Sequence, residues 1–308
     1  MIKRTTLALA AMLLLGIGAI SSAAYAATVN ITACPFSANT QGDTYSVTAN
    51  LTETTPGVSC ITIGASDVAI DLQGHTITGP GSAMGFGFGI TDDGNINPFT
   101  NIIIANGTIK GFGSGIGLAS TYVTVSNINA TQNTYGMDLN ANSAVSNSQA
   151  NNNSYGLIFD SGNNTISNSA ANNNQGGGIT INGSNNAIIN TPAGGNGSDG
   201  IFITEGNNTI TNSPVKGNKS GGIAIAGGNN TVTNCPVNGN GSQGIEIDGD
   251  GNFLTGDTAN GNGSTGIVLN CPSNLFGNTA QGNTNGNTIF GTSLGSPLPC
   301  VELDNHGF

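Results

Sequence analysis

The sequence has no tryptophan, two histidines, five tyrosines and only 7% charged residues in 308. Arginine occurs once, at Arg4, and beyond residue 26 the only cations are Lys110, Lys216 and Lys219. Nucleic acids and anionic lipid surfaces are held by clustered Lys and Arg, and this chain has no such cluster. His75 and His306 stand far apart, with no Cys/His spacing for zinc and no Ser-His-Asp arrangement for acyl transfer. After residue 26 no apolar run approaches the roughly 20 residues a membrane-spanning helix needs, so no membrane insertion is expected. Glycine-rich loops for phosphate or dinucleotide lack the strand-to-helix setting that chemistry requires.

At the start, Lys3-Arg4 precede an apolar run from Leu7 to Ile20 and then Ala24-Tyr25-Ala26. That is the pattern of a secretory signal, residues 1–26, cleaved after Ala26. Export to the periplasm, cell surface or exterior is the expectation. Loss of Lys3 and Arg4 leaves three lysines against sixteen carboxylates, a net charge of −13. Such a surface repels polyanions, uronate-rich polysaccharide included, and leaves open neutral polysaccharide, cations or self-association through the coil ends. Oligomeric state is not legible.

Glycine is abundant, 49 residues, and its placement is periodic. Gly-Ile-x-Ile opens at Gly178, Gly200, Gly222 and Gly244, 22 residues apart each time, and Gly266-Ile-Val-Leu continues the series. Gly115, Gly136 and Gly156 extend it backwards. Within each unit apolar residues alternate with small or polar ones, the period of a strand with one buried face. A second apolar column is Val145, Ile166, Ile188, Ile210, Val232 and Leu254; a third is Ala150, Ala171, Ala193, Val215, Val237, Ala259 and Ala280. Short strands joined by Gly/Asn turns cannot bury their faces alone, so units must stack. Stacking predicts an all-β fold, a single-stranded three-sheet solenoid of about ten coils, near 48 Å long at the inter-strand spacing.

Two asparagine columns accompany the repeat, Asn106 through Asn234 by way of Asn190, and Asn133 through Asn283 by way of Asn196. Asparagine tolerates left-handed turns, and stacked amides can bond from coil to coil. Asn190, mid-array, is expected to point inward and hold its neighbours. A disordered Gly/Asn/Ser tract would lack the in-register apolar columns.

Residues 27–65 lack the repeat and are expected to form an N-terminal cap; 66–290 form the helical array and 291–308 a C-terminal cap or tail. Cys34 and Cys60 bracket one end, Cys271 and Cys300 the other, and in an exported chain both pairs read as disulfides. Cys235 sits where other coils have Ser169 or Ser213, the place of a small buried thiol.

The texts IDLQGHTITG (70–79) and NGTIKGFGSGIGL (106–118), with the coil pattern, resemble right-handed parallel β-helix repeat proteins of the pectate-lyase-like superfamily. The likeness covers roughly residues 60–290 and implies a right-handed parallel β-helix. That superfamily contains lyases, hydrolases, epimerases, adhesins and repeat proteins without assigned activity. Its lyases use an Arg or Lys base beside an acidic Ca²⁺ cluster, which the exported chain lacks. Its hydrolases carry Asn-Thr-Asp, Asp-Asp and Gly-His-Gly; here only Asp92-Asp93 matches, at the head of an insertion running to Pro98, and His75 lies in Gly-His-Thr.

From the residues themselves, Asp138 and Asp160 fall outward on adjacent coils, two residues out of step. Their backbones are then about 8 Å apart, compatible with an inverting glycosidase pair at roughly 6.5–9.5 Å. Tyr135 and Tyr155 lie on the same coils and could stack a sugar ring, with Asp92 and Asp93 as further binding candidates. The plainer alternative is a solvated acidic face with tyrosines filling a turn. Glu246, Asp248 and Asp250 form a candidate Ca²⁺ cluster, although Ca²⁺ loop spacing is missing; no cofactor is required by any reading. The expected function is a secreted solenoid that presents a repetitive surface to extracellular or cell-surface glycan. The alternatives are a polysaccharide hydrolase, less so a lyase, and a structural envelope or matrix protein.

Overall fold

The computed structural model describes residues 27–82, 87–92, 98–292 and 300–307, with backbone alone for 289–292. Residues 1–26, the expected signal, and Asp93 lie outside them. Among the described residues the elements are thirty β-strands and no α-helix. They form a 16-stranded, a 12-stranded and a 2-stranded parallel sheet.

The repeat builds the second of these directly. Ile179 and Ile181 are fully buried, Thr180 faces out, and the triplet pairs in register with Ile201-Phe202-Ile203 on the next coil. The same register carries on through Ile223, Ile245 and Ile267. Each isoleucine thus stacks on its equivalents, and each contributes about 1.5–3 kcal/mol of apolar burial. Val145, Ile166, Ile188, Ile210, Val232 and Leu254 do the same in the first sheet. The third side is lined by the small column from Ala150 to Ala280, all buried. There Gln149–Asn151 pairs with Asn129–Thr131 of the coil before it, Val215–Lys216 and Val237–Asn238 form the two-stranded sheet, and single bridges such as Thr258 with Thr279 continue the side. Twelve strands in the second sheet exceed the ten coils expected, because Phe36–Ala38 and Ile61–Ile63 of the N-terminal segment join it, as does Thr288–Thr292.

The corners follow one rule. A residue with positive φ turns the chain, and the next residue points inward. Asn173 (φ 57°) precedes buried Asn174, Gly195 (φ 68°) precedes Asn196, and Gly217 (φ 67°) precedes Asn218. Asn163, Asn185, Asn207 and Asn229 likewise precede buried Asn164, Asn186, Asn208 and Asn230. Each inward amide oxygen accepts the backbone N–H of the coil before, as Asn218 does from Asn196 at 2.9 Å and Asn208 from Asn186 at 2.9 Å. Asn196 Nδ2 also donates to the Ala171 carbonyl at 3.0 Å. Turn groups that a sheet cannot reach are thereby paired.

Asn190 corrects the expectation made for it. It is exposed, at φ 50°, and its amide donates to Asn168 Oδ1 at 3.2 Å on the surface. Its column supplies left-handed corners; the buried ladder belongs to the Asn133–Asn283 column and to Asn164–Asn252, whose role the sequence reading missed. The third corner ladder is built of hydroxyls, Ser148, Ser169, Thr191 and Ser213, then Cys235, Asp257 and Asn278. Disulfides join Cys34 to Cys60 and Cys271 to Cys300, and Cys235 is free and buried.

Candidate functional site

The outward positions of the second sheet form one column along the solenoid: Thr91, Gly117, Asp138, Ile158, Thr180, Phe202, Ala224 and Glu246. Wherever that column places a small residue between larger ones, the face sinks. At Gly117 there is no side chain, and the Phe88 ring folds over the gap; a Cβ there would meet Phe88 Cε1 at 2.6 Å. The resulting hollow, about 590 Å³, is lined by Phe88, Thr91, Asp92, Asp138, Asn140 and Asp160 among others. Among the described residues no lysine, arginine or histidine lines it.

Asp138 and Asp160 share this hollow, two residues out of step as the sequence predicts: Asp138 faces Ile158, and Asp160 N–H donates to the Leu139 carbonyl at 3.1 Å. They differ in environment. Asp160 is exposed and accepts Asn182 Nδ2 at 3.0 Å. Asp138 is largely buried, and that burial, followed by the nearby Asp160 charge, pushes its ionisation up to about 6. A carboxyl that holds its proton beside an exposed one is an arrangement suited to proton transfer at a bound substrate. Asp92 reaches the hollow, but its Oδ2 is bound by both the N–H and the hydroxyl of Ser120 at 2.7 Å, so it braces the turn after Leu118.

Tyr135 and Tyr155 stack on each other in register, centroids 5.4 Å apart and planes 17° from parallel. They stand at the corner where their strands begin and do not line the hollow. Tyr155 is 43% exposed and its ring lies against Gly176.

A second, smaller hollow of about 250 Å³ opens five coils further along the same column, at Ala224 and Gly221. Phe202, 38% exposed, and Asp199 line it from the coil before, and Gln243, Glu246 and Asp248 from the coil after. Burial first, then the charges of Asp248 and Asp199, raise the Glu246 ionisation. Asp199 accepts the Gly221 N–H at 2.7 Å. Sequence reasoning missed Asp199 and Phe202, although Phe202 is the one aromatic at x in the Gly-Ile-x-Ile series. The Ca²⁺ reading of Glu246, Asp248 and Asp250 is not carried by the structure. Asp250 lies in the turn beyond the hollow, where its carbonyl accepts the Asn229 N–H, and among the described residues no three acidic, His or Cys groups gather as a metal site.

Residues 155–296 match the family described as right handed beta helix region. In three dimensions the molecule is similar to the A-module of the Azotobacter vinelandii mannuronan C-5 epimerase AlgE4, with TM-score 0.66, 14% identity, and 88% of this chain covering 89% of that one. The chain is a right-handed parallel β-helix. The handedness is that of nearly all parallel crossovers. This β-helix is also similar to the periplasmic alginate epimerase AlgG (TM-score 0.53, 13% identity, 86% and 76% covered). A tailspike protein mutant of E. coli bacteriophage HK620, in complex with pentasaccharide, aligns with TM-score 0.64 at 11% identity over 91% of this chain and 60% of its own. No curated protein matches the sequence. These likenesses carry the fold, and the solved neighbours named are carbohydrate-processing or carbohydrate-bound β-helices.

Proposed function

We propose that the protein is exported and binds a neutral extracellular or cell-surface glycan along the outward face of the second sheet. What supports this most is the pairing of two hollows on one straight column, each with an aromatic wall and hydrogen-bonding oxygens. At about 4.8 Å per coil the hollows at Gly117 and Ala224 stand about 24 Å apart, room for an oligosaccharide rather than a single sugar. Aromatic rings cover the apolar faces of pyranoses, and carboxylates and amides accept and donate to their hydroxyls. A uronate chain would be repelled by the acidic lining. Two disulfides suit an oxidising compartment, and among the described residues no helix is long and apolar enough to cross a membrane. A glycan array probed with the mature protein tests the reading: retention of neutral oligosaccharides, with longer ones held more tightly, supports it, and an empty array refutes it.

One observation favours a second reading, hydrolysis. Asp138, holding its proton up to about pH 6, would donate it to the glycosidic oxygen as the leaving group departs. The Asp160 carboxylate, as general base, would take a proton from the water attacking the anomeric carbon on the other face, inverting the configuration. A reducing-sugar assay on the glycans retained by the array separates the readings. Release that disappears in both Asp138→Asn and Asp160→Asn makes the protein a hydrolase; retention without release leaves it a binding protein.

A further inference from the structure

The third corner ladder contains one member that its neighbours do not explain. Along it, each side chain accepts a backbone N–H from the coil before and donates a hydrogen bond to a backbone carbonyl. Ser169 donates to the Ser167 carbonyl at 2.9 Å, Thr191 to Ile189 at 2.9 Å and Ser213 to Thr211 at 3.0 Å. Cys235 donates its thiol to Thr233 at 3.3 Å, and Asn278, the last buried member, gives its amide to Leu254 at 3.0 Å. Asp257 lies between those two and is fully buried. Its Oδ1 accepts the Cys235 N–H at 2.8 Å, and its own N–H donates to Asn278 Oδ1 at 2.9 Å. Its Oδ2, equally buried, has no hydrogen-bond partner.

A carboxylate can only accept, whereas a carboxylic acid has the proton that every other member of the ladder donates. We infer that Asp257 is a neutral acid in the folded chain, its Oδ2–H filling the ladder's donor role, so that this coil is a proton-dependent joint in the solenoid. Burial pushes its ionisation up to about 7, against the pull of the Cys235 and Thr255 N–H groups. Cys235 is the titratable group facing it from the coil before, and Asn278 faces it from the coil after. The Cys235 thiol is itself pushed up to about 12, by burial first and by Asp257 second.

The direction follows from linkage. An unfolded aspartate titrates near 3.9, so the folded joint holds its proton more tightly than the open one. Its stabilisation is complete below about pH 4 and is lost as pH rises through about 7. Above that, the coil must bury an unpaired charge or open, and coils that touch only their neighbours can open locally. Cys235 then becomes accessible.

The test is the alkylation rate of Cys235 in the disulfide-intact full chain, compared with Asp257→Asn and Asp257→Ser, both of which supply a ladder donor at every pH. Replacing Asp257 also removes a charge that holds the Cys235 thiol up, which by itself would speed labelling in the variants, so a faster parent reports opening of the coil. At pH 9 the parent should label at least about tenfold faster than either variant, the effect of one pK unit, and at pH 4.5 the rates should converge. Both variants should also melt higher than the parent at pH 9. Equal labelling at pH 9, or variants that melt lower there than the parent, would overturn the assignment.

Discussion

Asn196 gives its backbone N–H and its side-chain amide to the same atom, Oδ1 of Asn218 on the next coil, at 2.9 and 3.0 Å. Its own Oδ1 receives the matching pair from Asn174, both at 3.0 Å. Truncating Asn196 therefore orphans groups on both sides and on the Ala171 carbonyl, at about 1–3 kcal/mol for each buried one. Asn196→Ala should lower or split the unfolding transition. Asn190→Ala should cost only about 1–2 kcal/mol, for a left-handed alanine, and Asn190→Gly next to nothing. Equal urea midpoints for Asn196→Ala and Asn190→Ala would show that the ladder is decoration on the turn.

The apolar columns were legible because burial is written into their period: Ile179 and Ile201 recur together with their neighbours. Which asparagines turn inward was not, since both columns repeat at the same 22-residue step and a single-residue offset from the left-handed corner decides. The doubled pairs Asn163-Asn164, Asn185-Asn186, Asn207-Asn208 and Asn229-Asn230 hold the missing signal: the first residue bends the chain and the second bonds the coils. The offset of Asp138 and Asp160 could be counted in advance, and their placement followed. The hollow between them could not, because it depends on the Phe88 ring folding over Gly117, which the register sets between Thr91 and Asp138. Asp199 was invisible for a similar reason, lying in a turn that only stacking brings beside Glu246.

A pH dependence follows from Asp138. Its folded pKa, about 6, exceeds the unfolded value near 3.9. Its contribution is therefore fully present below about pH 4 and lost as pH rises through 6. Asp138→Asn should match the parent at pH 4 and exceed it in melting temperature at pH 8, modestly, since water still reaches the group. A parent that is the more stable of the two at pH 8 would contradict the burial and charge argument.

The cysteines make a third expectation. With Cys34–Cys60 and Cys271–Cys300 bonded and Cys235 buried, a thiol reagent at neutral pH should modify nothing in the folded chain. After denaturation without reductant it should modify one residue, Cys235. Peptide mapping that finds label on any other cysteine would refute the pairing.

Filling the larger hollow should abolish what it holds without harming the solenoid. Gly117→Thr copies Thr91 and Thr180 of the same column, and the flexible Phe88 ring is the group that must yield. The variant should melt within a few degrees of the parent. A collapse in stability would mean that Gly117 serves packing and not a surface recess.

The most direct test of the glycan-binding account is calorimetric titration of a neutral oligosaccharide, chosen from the array, into the parent, Gly117→Thr and Phe202→Ala. The account predicts measurable affinity in the parent, a loss of about tenfold or more in each variant (about 1.4 kcal/mol), and no heat with polygalacturonate at the same concentration. Unchanged affinity in both variants, or binding of polygalacturonate in preference to every neutral glycan, would contradict it.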